Sequence, residues 1–304
     1  MRIGVMIGAD RAPHPFDELI AMIRDVEDAG LDSAWMANIR AHDAIVTLTV
    51  AGRETRRIRL GTAVTPTFPR HPVALAQQAL TAVAATGGRF TLGIGLSHRP
   101  VIENGYGISY DHPARHMREY LDVLMPLLAG ETVNVDGEVF RVHDIAIDVP
   151  GAQRPPVVVA ALGPVMLGIA GSLADGTNTW MVGPHTMADH IVRRLHRAAA
   201  AAGRRDPLVV GGFPIVITDD RDAARAALAE PLAIYGKLPS YRAMLEREGA
   251  EHPVDLALVG DERAVGVQLQ RLRDIGVTDF MGAIFDVEEG TRRRTLEFLS
   301  CFDA

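Results

Sequence analysis

The chain is predicted to fold as an α/β protein, a (β/α)8 TIM barrel with insertions. Three observations carry that prediction. Strand-like and helix-like segments alternate from end to end, and the strands number eight. The 304 residues hold a ring of about 250 residues with roughly fifty left for insertions. An open, doubly wound sheet also alternates, but strand count and length favour closure. No internal repeat, low-complexity tract or Pro/Gly/Ser linker interrupts the pattern, so residues 1–304 are read as a single domain.

The elements follow in order. Arg2 to Gly8 reads as a strand. Phe16 to Ala29 reads as a helix, with Ile20, Ile23 and Val26 on one face and Gly30 as its stop. Asp32 to Ala37 and Asp43 to Gly52 repeat strand and helix. Ile58 to Val64 is a third strand, followed by the turn signals Pro66, Pro69 and Pro72. Pro72 suits a first helical turn, and Val73, Leu75, Ala76, Ala79, Leu80 and Val83 recur at helical spacing up to Gly87-Gly88. Phe90 to Ile94 is the fourth strand, running into Gly93-x-Gly95 and the polar tip Ser97-His98. This strand–helix–strand unit requires parallel strands.

Pro113 to Ala129 is helical along Met117, Tyr120, Leu121, Leu124 and Leu128. Glu131 to Asp144 breaks the rhythm as a hairpin turned at Asp136-Gly137, an insertion near 131–144. Pro156 to Ala161, Val165 to Ala174, Thr177 to Val182, Thr186 to Ala202, Leu208 to Ile217 and Asp219 to Ala229 resume the alternation. A second insertion occupies 231–258. Asp261 to Ile275, Thr278 to Ile284 and Glu288 to Phe302 close with helix, strand and helix.

Composition excludes several roles. A net charge of −7 argues against a nucleic-acid partner, and no run approaches the ~20 apolar residues of a membrane span. The apolar run after Arg2 is far shorter than a signal peptide needs. The single cysteine, Cys301, allows neither an intrachain disulfide nor a zinc set, so a reducing, cytoplasmic setting is expected. Phosphate-loop, dinucleotide, zinc-protease and serine-hydrolase motifs are missing, and the loop Gly8-Ala9-Asp10 carries no dinucleotide fingerprint. His112 and His116 stand four apart on a helix that follows a loop away from obvious carboxylate ligands. They read as surface or helix-start residues, and no metal site is expected.

Two segments keep chemical interest. Leu162-Gly163-Pro164 joins a strand to a helix, and unpaired N–H groups at such a start bind phosphate well. An ordinary connecting loop has the same spacing. Gly95-Leu96-Ser97-His98 ends a strand in a glycine that lets a flat ring approach, with polar side chains after it.

These residues together resemble the bacterial luciferase-like superfamily, most closely its actinobacterial branch of coenzyme F420-dependent oxidoreductases. The likeness spans the chain. It rests on GLDSAWM at 30–36, the run 58–98, ARHMREYLDVLMPLLAGETVNVDGEVF at 114–140 and VVVAALGPVMLGIAGSLADGTNTWMVGP at 157–184. The resemblance implies a non-proline cis peptide at Ala63–Val64 behind the cofactor ring. It implies main-chain phosphate binding by Leu162, Gly163 and Pro164, and a pocket wall from Gly95, Leu96, Ser97 and His98. His98 matches the place of a catalytic glutamate in a sugar-phosphate dehydrogenase of the family, so it is the candidate proton-transfer residue.

Where many relatives read Asp-His after strand two, this chain reads Ala37-Asn38-Ile39. Asn38 retains a hydrogen bond toward the cofactor, Ile39 cannot move a proton, and the sugar-phosphate activity is not expected. His42 reaches in from the same loop as a substrate contact. Tyr235, Lys237 and Tyr241 in YGKLPSY belong either to a lid touching a small-molecule substrate or to an exposed helical loop. The expected activity is hydride transfer between F420 and a small organic substrate. An FMN-dependent monooxygenase and a non-catalytic cofactor-binding barrel are the alternatives, and a homodimer is allowed for.

Overall fold

The structure, a computed structural model, describes residues 1–9 and 14–302; Asp10, at the end of the first loop, lies outside them. β1 (Arg2–Ile7) and α1 (Phe16–Asp28) are followed by β2 (Ser33–Met36), α2 (Ala44–Glu54), β3 (Arg59–Thr62), β4 (Thr65–Pro66), α3 (Pro72–Ala85) and β5 (Phe90–Gly95). A π-wound turn at Val101–Gly105 leads to α4 (Pro113–Leu128) and the hairpin β6 (Val133–Asp136) and β7 (Arg141–Ile145). Next come β8 (Val157–Ala160), α5 (Pro164–Leu173) and β9 (Gly176–Trp180). α6 (Pro184–Thr186) and α7 (Arg193–Ala201) follow, joined through π-wound Met187–Val192. β10 (Leu208–Ile217) and α8 (Arg221–Leu232) precede a second inserted segment. It contains a 3-10 turn at Ala233–Lys237, α9 (Pro239–Glu248), another at Pro253–Leu256, and β11 (Leu258–Gly260). α10 (Glu262–Asp274), β12 (Asp279–Ile284) and α11 (Thr291–Cys301) complete the chain.

β1, β2, β3, β5, β8, β9, β10 and β12 pair in that order, all parallel, and β12 returns to β1. The predicted closed ring of eight strands is therefore present, wrapped by helices. Its interior is packed by Trp35, Val158, Val210 and Met281, with Met6, Ala63 and Trp180 toward one end. Gly61 makes room for Trp35: a Cβ there would lie 2.3 Å from the indole ring. The indole N–H of Trp35 donates to Ser33 Oγ at 2.9 Å, so this buried ring is also paired.

Several details differ from the sequence reading. The third strand is not continuous. β3 pairs with β5 as Leu60↔Phe90, whereas β4 pairs as Thr65↔Ile94, so the offset falls from 30 (90 − 60) to 29 (94 − 65). The extra residue is a bulge beside the Ala63–Val64 peptide, which is cis. The hairpin does not turn tightly at Asp136-Gly137. Residues 137–140 form a wider loop whose N–H groups at Glu138, Val139 and Phe140 donate to the Glu119 carboxylate of α4. β11 was not foreseen; three residues are too short for periodicity, and they pair only with the projecting end of β10, Ile215–Ile217. α8 also runs three residues beyond the expected Ala229, into the start of the insertion expected at 231–258.

His116 is not a surface residue. It is 5% exposed, its Nε2 lies 3.0 Å from Thr67 Oγ1, and its ring stacks 3.9 Å from Phe68. Burial pushes its pKa from 6.5 down to about 4. The unfolded chain takes up a proton between those values that the folded chain refuses, so stability should fall as pH drops from 6.5 toward 4. Melting curves across that range should be flatter for His116→Gln; an identical slope would reassign the effect to another group.

Candidate active site

The carboxyl ends of the barrel strands form a mouth where the expected residues can be compared. After β5, Gly95 leads to Leu96, Ser97 and His98. A Cβ on Gly95 would lie 2.6 Å from Val64 Cγ2 and 3.0 Å from Ala160 Cβ. The glycine thus admits the chain's own Val64 from the bulged third strand. Ser97 adopts φ 59°, and Met181 just past β9 adopts φ 53°. Left-handed backbone at non-glycine residues is costly and clusters at functional sites, and here it marks two mouth loops on either side of the one after β8. The Tyr110 hydroxyl donates to the Ser97 carbonyl at 3.2 Å and holds that loop down.

His98 is half-buried, and desolvation lowers its pKa below the ordinary 6.5. Its ring lies 6.0 Å from Tyr241 of α9, Tyr241 lies 5.0 Å from Tyr235, and Tyr235 lies 6.0 Å from Trp180 at the end of β9. Four rings thereby cross the mouth from one strand end to another. The inserted segment is helical, as one reading expected, and it also turns both tyrosines onto the barrel. Burial pushes the Tyr241 phenol up, so it stays protonated at neutral pH. Lys237, expected beside them, is exposed.

Asn38 faces the second loop, where its Oδ1 accepts from Ala44 N at 3.0 Å and so caps α2 together with Asp43. Arg70 pairs with Asp43 at 2.6 Å. His42 turns to the loop after β1. Its Nε2 lies 3.0 Å from the His14 carbonyl and its ring packs on Phe16, at the start of α1. Ile39, where many relatives carry histidine, is 61% exposed.

Two successive strand–helix connections start alike, with Gly163-Pro164 before α5 and Gly183-Pro184 before α6. Their N-termini differ. Glu248 of α9 fills the second, accepting from His185 N at 3.1 Å and Thr186 N at 2.7 Å. The first has no side-chain cap, Gly163 is exposed, and a Cβ on it would meet nothing within 4 Å. The open start is also held in place. His190 Nε2 donates to the Leu162 carbonyl at 2.8 Å while Nδ1 accepts from Arg194 Nε at 3.0 Å, which sets one tautomer. Neither His190 nor Glu248 was singled out from sequence; the repeated Gly-Pro was the available signal.

At the opposite end of the barrel a cavity of about 760 Å³ is lined by Arg2, Asp32, Arg273 and Thr278. Arg2 pairs there with Asp279 at 2.7 Å. Amino-terminal faces of such barrels serve stability, and an ion pair closing the ring fits that role. Among the described residues no group of three or more His, Cys, Asp or Glu side chains is placed to hold a metal ion, and no helix is long and apolar enough to cross a membrane.

The model of the family described as luciferase-like monooxygenase matches residues 1–279. An uncharacterized protein of Mycobacterium tuberculosis is 32% identical over 280 residues, covering 86% of this chain and 78% of that one. The 5,10-methylenetetrahydromethanopterin reductase of Archaeoglobus fulgidus is 30% identical, over 76% of this chain and 70% of its own. The F420-dependent hydroxymycolic acid dehydrogenase of Mycobacterium tuberculosis is 27% identical, over 87% and 78%. In fold, the chain superposes on the coenzyme F420-dependent tetrahydromethanopterin reductase of Methanopyrus kandleri with a TM-score of 0.83 at 22% identity, covering 99% of this chain and 97% of that one. The oxygenating constituent of 3,6-diketocamphane monooxygenase from Pseudomonas putida, in complex with FMN, gives 0.80 at 17% identity, over 99% and 97%.

Proposed function

Since the chain belongs to the luciferase-like monooxygenase family, we propose that it is an oxidoreductase passing hydride between coenzyme F420 and a small organic substrate. The observation that carries this reading is the pair of Gly-Pro helix starts, one plugged by Glu248 and one open. An anion at the open start meets unpaired N–H groups and the positive end of the helix dipole. The residues fit a phosphorylated planar cofactor: Gly163 leaves room for a phosphate, while Val64, Gly95 and Ala160 form a low wall for a ring. Bound there, the deazaflavin supplies a two-electron hydride carrier.

The chain's own residues supply the rest. His98, neutral at pH 7 because burial lowers its pKa, acts as a base toward a substrate hydroxyl. That form suits oxidation of an alcohol; the reverse direction requires the protonated ring. Tyr235 and Tyr241 screen the reacting centre from water. The exposed Cys301 agrees with a cytoplasmic setting.

Titration with F420 and with FMN tests the proposal. F420 should bind the wild type in preference to FMN and exchange hydride with an alcohol or carbonyl substrate. Gly163→Val should weaken F420 binding by at least about tenfold, or ~1.4 kcal/mol, with the apo melting temperature unchanged. Preference for FMN would indicate the monooxygenase chemistry instead. Binding without hydride exchange would indicate a non-catalytic barrel. Unchanged affinity alongside a collapse in stability would make the Gly163 loop structural.

A further inference from the structure

Among the described residues, two buried side-chain nitrogens lack a hydrogen-bond partner, Asn178 Nδ2 and Trp180 Nε1. They stand two residues apart on β9, so both face the barrel axis. The alternate residues Thr177 and Thr179 turn the other way, with hydroxyls donating to the Val159 and Val210 carbonyls. The remaining unpaired buried groups are the hydroxyls of Thr65, Tyr120, Thr186 and Thr291. An unpaired nitrogen donor in a barrel interior is a standing cost to the fold. Asn178, only 5% exposed, is where a packed strand would carry an aliphatic residue.

The location gives the cost a use. Asn178 pairs in register with Ala160, and Ala160 Cβ lies 3.0 Å from where a Cβ on Gly95 would be. Val64, Gly95, Ala160 and Asn178 therefore run in one row along the inner wall, and the amide is the polar member of that row. Trp180 stands two residues nearer the mouth, packed over Gly212 and facing Tyr235. A primary amide presents a donor and an acceptor side by side, the complement of an imide's C=O and N–H. The indole N–H adds one further donor.

We propose that Asn178 and Trp180 read the imide edge of a planar ring, the pyrimidinedione that deazaflavins and flavins share. The inference rests on the reading above that a ring of this kind lies in the mouth, and it holds for F420 and FMN alike. It makes the two residues binding groups that set the ring's in-plane orientation.

The test is affinity of the purified chain for F420 and FMN, without substrate, together with apo melting temperature. Asn178→Leu should weaken binding about 10–100-fold and leave the apo protein as stable or more stable, because an unpaired group is removed. Trp180→Phe, which keeps the packing and removes the N–H, should weaken binding about tenfold. Asn178→Asp, of the same shape, should also lose affinity by placing an acceptor against the imide carbonyl, and it serves if the leucine variant folds poorly. Wild-type affinity in these variants would overturn the inference and leave the proposed function standing, and so would a loss confined to substrate turnover. A wild-type chain that binds neither cofactor would overturn the proposed function itself.

Discussion

His98→Ala should bind F420 as the wild type does and lose turnover by about 10²–10⁴-fold, the usual effect of removing a general acid or base. His98→Gln keeps a hydrogen-bonding side chain of similar reach but cannot titrate, so it should fail nearly as badly. The pH profile gives a second readout. Burial holds the imidazole pKa below 6.5, so the neutral base dominates at pH 7. In the oxidative direction kcat/KM should therefore fall as pH drops through that lowered value, with its acid limb below pH 6.5. That limb should vanish in His98→Gln. Weak binding with normal turnover would make His98 a pocket-wall residue. An acid limb unchanged in His98→Gln would move proton transfer to another group.

Gly93→Ala should cost the fold about 3 kcal/mol or more, a loss of roughly 6–12 °C in Tm. A Cβ at this position would lie 1.9 Å from the Thr62 carbonyl oxygen, a backbone atom in the neighbouring strand. Thr62 cannot move aside cheaply. Its hydroxyl donates to the Gly93 carbonyl at 2.7 Å and accepts from the Gly93 N–H at 2.8 Å, fastening both strands where β3 bulges. The contrast with Gly163→Val, whose added atoms meet no protein, separates a glycine needed for packing from one needed for a ligand. An unchanged Tm for Gly93→Ala would mean that β3 can slide away from β5, and the two strands would then not be rigidly joined.

Much of the site's scaffold was legible in the chain. The eight strands, the positions of both insertions, and the Gly95–His98 and Leu162–Pro164 loops follow from alternation, glycine placement and Gly-Pro starts. Periodicity reports which residues of one segment are buried, and buried strands joined by short helical crossovers have few ways to close. What was not legible is contact between distant segments. His116 read as a surface histidine because its helix position says nothing about Phe68 and Thr67, which cover it from another loop. Nor does the place of His42 in the chain say that the His14 carbonyl and the Phe16 ring lie against it.

The sequence by itself determined the barrel and the family resemblance, because these depend on local hydrophobic period and on motifs contiguous in the chain. Only the tertiary structure decided which helix start is open, since the carboxylate that plugs the other comes from 62 residues away. It likewise decided that Tyr241 faces His98 and that Asn178 is buried without a partner. Those outcomes depend on which side chains from distant segments compete for the same space and the same hydrogen bonds. That competition is settled only when the ring closes and the α9 segment folds over it.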